Sequence, residues 1–466
     1  MTKIKFGTDG WRAIIAKEYT IDNLARVAEA TADWVLKNNK KKEIVLGYDC
    51  RFGGVMFAEA CAKVYCSKGI KVKMSDGFVS TPMISLAAKK LNTGLGIIIT
   101  ASHNPPLYNG YKIKSPFGGP ALQSEIDEVE ALIPEKAEVP DLNLEDCKKD
   151  GLFEYVDLEK MYIDELVGNF DFEMIKKSGL TIAYDAMYGS GQNVIPAVLP
   201  DSVLLNCVHN PLFNGVAPEP LAKNLTELSE TIKRSGDIDL GLAVDGDADR
   251  IALFDNQGKY VDSHHVILLL IHYLVKYKKM TGKVVIAFSV SNKVKKLCEH
   301  YGLEYEVTKI GFKHICEIMM KEDTLVGGEE SGGIAVKGHI PERDGIWDGI
   351  VLLEFMAKTG KTLIDLIDEV YSIVGPFSYE RNDLRLKDSE KQSIIDFCKN
   401  DKYQAFGEYK VEKIEKTDGF KFYLGNDRTI MIRPSGTEPV LRVYAEGKDA
   451  EEVQKMLKAV KATILD

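Results

Sequence analysis

From residue 20 to residue 36 the apolar side chains Leu24, Val27, Ala28, Trp34 and Val35 recur every three or four positions, which predicts a helix with one buried face. Glu43 to Tyr48 follows as a short strand, and residues 55–68 return to the helical period until Gly69 stops them. Two more apolar runs, Ile70 to Met74 and Gly94 to Thr100, read as buried strands of a mainly parallel sheet. After a polar, charge-rich connection from Pro140 to Gly151, the runs Thr181 to Asp185 and Asp239 to Val244 predict strands of a second unit. Beyond Ile251 the rhythm repeats as helix 266–278, strand 284–288, helix 292–301, strand 304–308 and helix 312–320, with short strands at 324–326 and 334–336. Past Pro376 the order changes to a helix at 389–399, strands at 410–415, 420–424, 429–432 and 441–445, and a last helix from Ala450. The expected fold is therefore α/β: three consecutive α/β domains with mixed sheets at 1–145, 146–253 and 254–372, then an α+β domain at 373–466. A hinge is expected near Gly375-Pro376.

The 466 residues suit three or four domains, and 45% hydrophobic with 28% charged residues excludes a disordered or fibrous chain. Sixty basic against 70 acidic side chains give a net charge of −10, the wrong sign for broad capture of nucleic acid. An anionic ligand would need arginine and lysine gathered locally. Eight cysteines without a C-x-x-C pair fit reduced thiols and a cytoplasmic location better than a disulfide framework or a zinc site. The N-terminal residues lack the apolar stretch of a signal peptide, and the longest apolar run, Val266 to Val275, is broken by His272, so no membrane association is expected.

Four loops carry candidate chemistry. Thr100-Ala101-Ser102-His103-Asn104-Pro105-Pro106 follows a strand at its carboxyl end, where open α/β sheets place ligands, and its prolines force a turn. Ser102 beside His103 offers a nucleophile with a proton partner, or merely a serine capping a turn. In Asp245-Gly246-Asp247-Ala248-Asp249-Arg250, carboxylates at alternate positions can converge on Mg²⁺; the alternative is a solvated acidic turn. An EF-hand is excluded, because Arg250 and Asn256 stand where that loop needs glycine and glutamate. Gly327-Gly328-Glu329-Glu330-Ser331-Gly332-Gly333 is either a site for sugar hydroxyls or a hairpin with an acidic tip. Arg433-Pro434-Ser435-Gly436-Thr437-Glu438-Pro439 is either a phosphate cradle or a plain turn with a surface arginine. Gly360-Lys361-Thr362 ends like a nucleotide P-loop, but Phe355 stands where the first glycine belongs, and no G-x-S-x-G, G-x-G-x-x-G or H-E-x-x-H motif occurs.

Taken in order, T-A-S-H-N-P, D-G-D-A-D-R, G-E-E-S-G-G and R-P-S-G-T-E-P resemble the motifs of the α-D-phosphohexomutases, as does the opening Gly7-Thr8-Asp9-Gly10-Trp11-Arg12. The resemblance spans essentially the whole chain and implies four domains around a central cleft, the last binding phosphate. It implies that Ser102 carries a phosphoryl group and that Asp245, Asp247 and Asp249 ligate Mg²⁺ with an oxygen from Ser102. It further implies that Glu330 and Ser331 contact the sugar, and that Arg433, Ser435, Gly436 and Thr437 hold the phosphate that is not transferred. Arg12, His103 and Lys112 are the other catalytic candidates, with Arg250, Lys313 and Arg343 as substrate-binding candidates.

The implied reaction converts a hexose 1-phosphate to its 6-phosphate through a hexose 1,6-bisphosphate, with glucose 1,6-bisphosphate as activator. Members of the phosphomannomutase type often carry T-G-H in the third domain and a histidine ending the sugar loop, whereas this chain has Lys309-Ile310-Gly311-Phe312-Lys313 and Gly333. Glucose phosphate is therefore the expected substrate, ahead of mannose or glucosamine phosphate. A metal-dependent sugar-phosphate binder without turnover and a leaky phosphatase are the alternatives from other classes.

Overall fold

A computed structural model of the chain describes residues 3–38, 40–434 and 440–465. The first unit is built on a seven-stranded sheet. Its strands Leu95–Ile99, Glu43–Tyr48, Lys71–Ser75 and Phe153–Val156 run parallel, while Tyr108–Ser115 and then Trp11–Ile14 add on antiparallel. Helices Ile21–Lys37 and Gly54–Ser67 cover one face. Helix Thr81–Lys90 covers the other, started by Ser80, whose side chain accepts from Met83 N, and by Pro82 in its first turn. The expected domain end at 145 falls inside a short helix, Leu144–Lys149, and the next strand still pairs with Lys71–Ser75. The polar spacing of Phe-Glu-Tyr-Val at 153–156 marks an edge strand, half of it facing solvent, so the first sheet extends beyond the charge-rich stretch.

In the second unit Leu240–Val244, Ile182–Asp185 and Val203–Leu205 are parallel, and Ile251–Phe254 and Tyr260–Val261 continue antiparallel from Leu240–Val244. The third sheet orders Tyr305–Thr308, Lys283–Ala287 and Thr324–Gly328 in parallel, with Ile334–Val336 antiparallel at the end. The expected helix 266–278 is an α-helix over Ser263–His272 followed by a π turn at Tyr273–Tyr277. The long helix Gly345–Thr359 lies between the second and third units, with Leu242 of the second sheet against Gly349. One continuous apolar core runs from the helix-covered face of the first unit through the second into the third.

The fourth unit has its own core. Its five antiparallel strands are ordered Ser378–Arg385, Val440–Gly447, Thr429–Pro434, Phe420–Tyr423 and Lys413–Glu415, backed by helices Asp388–Lys399 and Ala450–Leu465. The single strand expected at 410–415 is divided: Tyr409–Lys410 pairs with Ala405–Phe406, and only Lys413–Glu415 joins the sheet. Among the described residues no helix is long and apolar enough to cross a membrane.

Candidate active site

Ser102 lies just past the carboxyl end of the strand Leu95–Ile99 with φ of +52°, a left-handed conformation that the surroundings must hold in place. Thr100 Oγ1 accepts from the Ser102 amide at 2.9 Å and donates to Asp49 Oδ2 at 2.5 Å. The buried Arg51 donates to the carbonyl oxygens of Ser102 (2.5 Å), Asn104 (2.6 Å), Pro105 (2.9 Å) and Tyr108 (3.0 Å) and pairs with Asp49 at 3.3 Å. One guanidinium thus fixes the shape of the whole turn. Burial pushes the Asp49 carboxyl up to about 6, against the pull of Arg51 and the Thr100 hydroxyl. Asp49 and Arg51 were not among the expected residues, although they directly follow the strand Glu43–Tyr48 and obey the same positional rule as Ser102.

The Ser102 hydroxyl donates to Asp245 Oδ2 at 2.9 Å and lies 3.3 Å from His103 Nδ1. His103 is held well below the usual histidine range by burial, then by Arg250 and Arg12. Asp245, Asp247 and Asp249 are fully buried, each offering an oxygen within 4.8 Å of the others. The loop reaches Ser102 because residue 246 is glycine: a Cβ there would lie 2.6 Å from the Ser102 carbonyl oxygen. Asp247 Oδ2 accepts from Thr81 Oγ1 (2.5 Å) and Lys112 Nζ (2.8 Å), and Asp249 Oδ2 from Lys112 (3.1 Å) and Arg343 Nη2 (2.7 Å). The other oxygens, Asp247 Oδ1 and Asp249 Oδ1, are buried without a hydrogen-bond partner among the described residues. Burial, reinforced by Asp247 and Asp249, drives the Asp245 carboxyl well above its ordinary value. Two orphaned hard oxygens among three converging carboxylates fit a divalent cation such as Mg²⁺, which takes oxygen ligands.

Lys112 was expected near the nucleophile as an acid or base, but its ammonium is bonded to Asp247, Asp249 and, at 2.7 Å, Asp9. Burial alone would depress its ammonium; those three carboxylates outweigh it and raise it above the ordinary lysine value. Lys114, two residues along the same strand, pairs with Glu342 at 2.6 Å. Arg343, expected to bind substrate, is a bridge between units, 2.6 Å from Asp9 and 2.7 Å from Asp249. Gly345 N donates to Ala248 O at 3.0 Å, and a Cβ at Gly345 would meet Arg250 O at 2.3 Å, so the start of the long helix bears on the aspartate loop. Arg12 donates to Asn104 Oδ1 at 2.8 Å, and Arg250 lies 3.6 Å from Glu219. Each keeps a buried Nε without a hydrogen-bond partner among the described residues, a donor left over for an anion.

The sugar-loop candidates divide. Glu329 accepts from Gly311 N at 3.1 Å and stands 3.9 Å from Arg343, whereas the Glu330 carboxylate lies 3.4 Å from Arg381 of the fourth unit. Ser331 is half-buried on the same loop. Lys313 is turned toward Gln123 Oε1 of the first unit. Arg433 donates to Asp418 Oδ1 at 3.1 Å, and Asp418 Oδ2 accepts from Ile310 N at 2.9 Å across the boundary with the third unit. Ser435, Gly436 and Thr437 lie outside the described residues.

Four sequence models of the phosphoglucomutase/phosphomannomutase family match the chain: alpha/beta/alpha domain I at residues 3–140, domain II at 160–258, domain III at 262–374 and the C-terminal domain at 387–463. A phosphoglucomutase/phosphomannomutase from Thermococcus kodakarensis is 30% identical over 97% of this chain and 96% of its own. A phosphoglucosamine mutase from Caldicellulosiruptor bescii is 31% identical, with 98% of each chain covered. The crystal structure of a candidate phosphomannomutase from Thermus thermophilus is 31% identical, covers 100% of both chains and superposes with a TM-score of 0.87. Matched in all four domains and along nearly its full length, the chain belongs to the phosphoglucomutase/phosphomannomutase family of α-D-phosphohexomutase enzymes.

Proposed function

We propose that this enzyme is a phosphohexomutase that interconverts hexose 1-phosphate and hexose 6-phosphate in the cytoplasm, with glucose phosphate as its preferred substrate. The observation that carries the reading is the 2.9 Å bond from Ser102 Oγ to Asp245 Oδ2, which sets the serine hydroxyl against three buried carboxylates. Asp245, Asp247 and Asp249, with a phosphoserine oxygen, would hold Mg²⁺, which when bound neutralises charge on a transferring phosphoryl group. A sugar hydroxyl attacks the phosphorus of phospho-Ser102. The bond from phosphorus to Ser102 Oγ breaks as the bond to the sugar oxygen forms, and the hydroxyl proton passes to His103, whose Nδ1 is 3.3 Å from Ser102 Oγ. The hexose 1,6-bisphosphate then turns end for end, and the reverse transfer returns its other phosphate to Ser102. Glucose 1,6-bisphosphate added from outside charges an unphosphorylated Ser102 by the same exchange. The spare Nε donors of Arg12 and Arg250 suit the phosphate oxygens.

Glucose is favoured by Gly311-Phe312-Lys313 and by Gly333, where mannose-type loops tend to carry histidine. Glucosamine phosphate is the second reading, supported by the Caldicellulosiruptor bescii relative. Phosphorus NMR with Mg²⁺, a trace of glucose 1,6-bisphosphate and glucose, mannose or glucosamine 1-phosphate in separate tubes tests both. A 6-phosphate signal growing fastest from glucose is expected, and Ser102→Ala is expected to lose at least about 10³-fold in rate with an unchanged circular dichroism spectrum. Inorganic phosphate as sole product, or full turnover by a folded Ser102→Ala, refutes the mechanism.

A further inference from the structure

Glu330 sits where three units meet. Its carboxylate lies 3.4 Å from Arg381 Nη1 on the strand Ser378–Arg385, and Arg442 of the fourth unit and Arg250 of the second are its next electrostatic partners. Its own carbonyl accepts from Ser263 Oγ at 2.5 Å, which fixes the loop on the third unit. Among the described residues, Asp383 is 3.2 Å from Arg381 and faces Arg442 across the strand pair, and Glu219 is 3.6 Å from Arg250. Without Glu330, cations carried by the second and fourth units would face one another across the cleft with less to separate them. The neighbouring Glu329 is directed instead toward Gly311 N and Arg343, so the two carboxylates of the loop have different partners.

We infer that Glu330 and Arg381 are positioning residues, an ion-pair latch that holds the phosphate-binding fourth unit against the sugar loop. The latch acts beside other contacts between the third and fourth units: Tyr379 donates to Ser289 O at 2.6 Å, Ser291 to Glu446 at 2.8 Å, and Asp427 pairs with Lys293 at 3.1 Å and with Lys296. Its strand follows directly on the linker Gly375-Pro376-Phe377, so a small rotation there carries Arg381 away from Glu330. As to turnover, the inference rests on the mutase reading. Opening the latch then makes the sugar phosphate supply the closing free energy, raising KM while kcat holds or rises through faster product release.

The test is a double-mutant cycle of Glu330→Gln, Arg381→Met and both, with the charge swap Glu330→Arg/Arg381→Glu, read by X-ray scattering of the full chain and by kinetics. Each single variant is expected to increase the radius of gyration and to raise KM about five-fold. The double variant should be no worse than the stronger single one, and the swap should restore both readings in part. A direct sugar contact by Glu330 predicts instead a kcat loss confined to Glu330→Gln with no change in scattering, and that result overturns the latch. So do additive single effects or a radius that never changes. Absence of turnover in the wild type overturns the mutase reading alone, since scattering still decides whether the latch exists.

Discussion

Asp348, on the first turn of the helix Gly345–Thr359, is 1% exposed, and neither carboxylate oxygen has a hydrogen-bond partner among the described residues. Burial, then the nearby Asp344, drives its carboxyl well above the ordinary range. With the folded value raised, the unfolded chain gives up this proton first as pH climbs, so stability is lost between the ordinary carboxylate range and the raised value. Asp348→Asn is therefore expected to stabilise the protein by about 1–2 kcal/mol at pH 7.5, with the gain shrinking toward zero near pH 4. Urea denaturation at the two values checks it, and an equal gain at both would reject an ionisation penalty. Such residues show how far a sequence can be read one position at a time. Ser102 and the three aspartates stood out because their types and spacing name a chemistry, whereas Lys112 was expected as an acid or base and Lys114 did not stand out, until Asp9, Asp247 and Glu342 are seen to meet them in the interior.

At the scale of elements, apolar runs were sufficient where a strand is buried on both faces: Glu43–Tyr48 and Leu240–Val244 lie where their composition puts them. Three elements that shape the site escaped. The strand Tyr108–Ser115 buries asparagine, lysine and serine, because these side chains meet polar partners in the interior: Phe52 O for Asn109, Glu125 for Ser115, and carboxylates of the second and third units for Lys112 and Lys114. Trp11–Ile14 is too short to show a period. The helix Thr81–Lys90 has the signature of Ser80 and Pro82 at its start, yet its consequence, Thr81 N donating to Asp247 O at 3.0 Å, depends on a loop 166 residues away. That helix and the strand bearing Lys112 fix one oxygen of Asp247 and leave the other for a cation. Asp247→Asn should raise the Mg²⁺ concentration for half-maximal activity at least about ten-fold, measured by metal titration of both proteins. An unchanged titration would remove Asp247 from the ligand set.

Across the whole molecule, one large core joins the first three units, the first and the fourth also keep cores of their own, and the boundary before the fourth unit combines polar contacts with a small apolar cluster of Phe288, Met431 and Tyr444. Lys421 donates to Val290 O at 3.2 Å there, and burial lowers its ammonium to about 8 despite Glu446 and Glu415. An unfolded lysine titrates near 10.5, so between the two values the unfolded chain binds more protons and stability rises with pH. The rise is at most about 1.4 kcal/mol per pH unit. Lys421→Met should abolish that part of the increase in urea midpoint between pH 8 and pH 10; a variant that keeps the wild-type slope would show that Lys421 is not its source. The four-domain plan was legible because the first three units repeat a recognisable alternation and the order changes past Pro376. The contacts between units were not, since they join charges far apart in the chain.

The seating of Gly345 on the aspartate loop also sets a timetable for synthesis. Gly345 leaves the ribosome one hundred residues after Asp245, on the order of ten seconds later at ordinary elongation rates. For that interval the nascent second unit carries its three acidic side chains without Arg343 beside them and with the face around Leu242 uncovered. The loop thus emerges with Lys112 already made but receives Arg343 and the seat of Gly345 late, so chaperone demand during translation should peak between the emergence of residue 250 and that of the long helix.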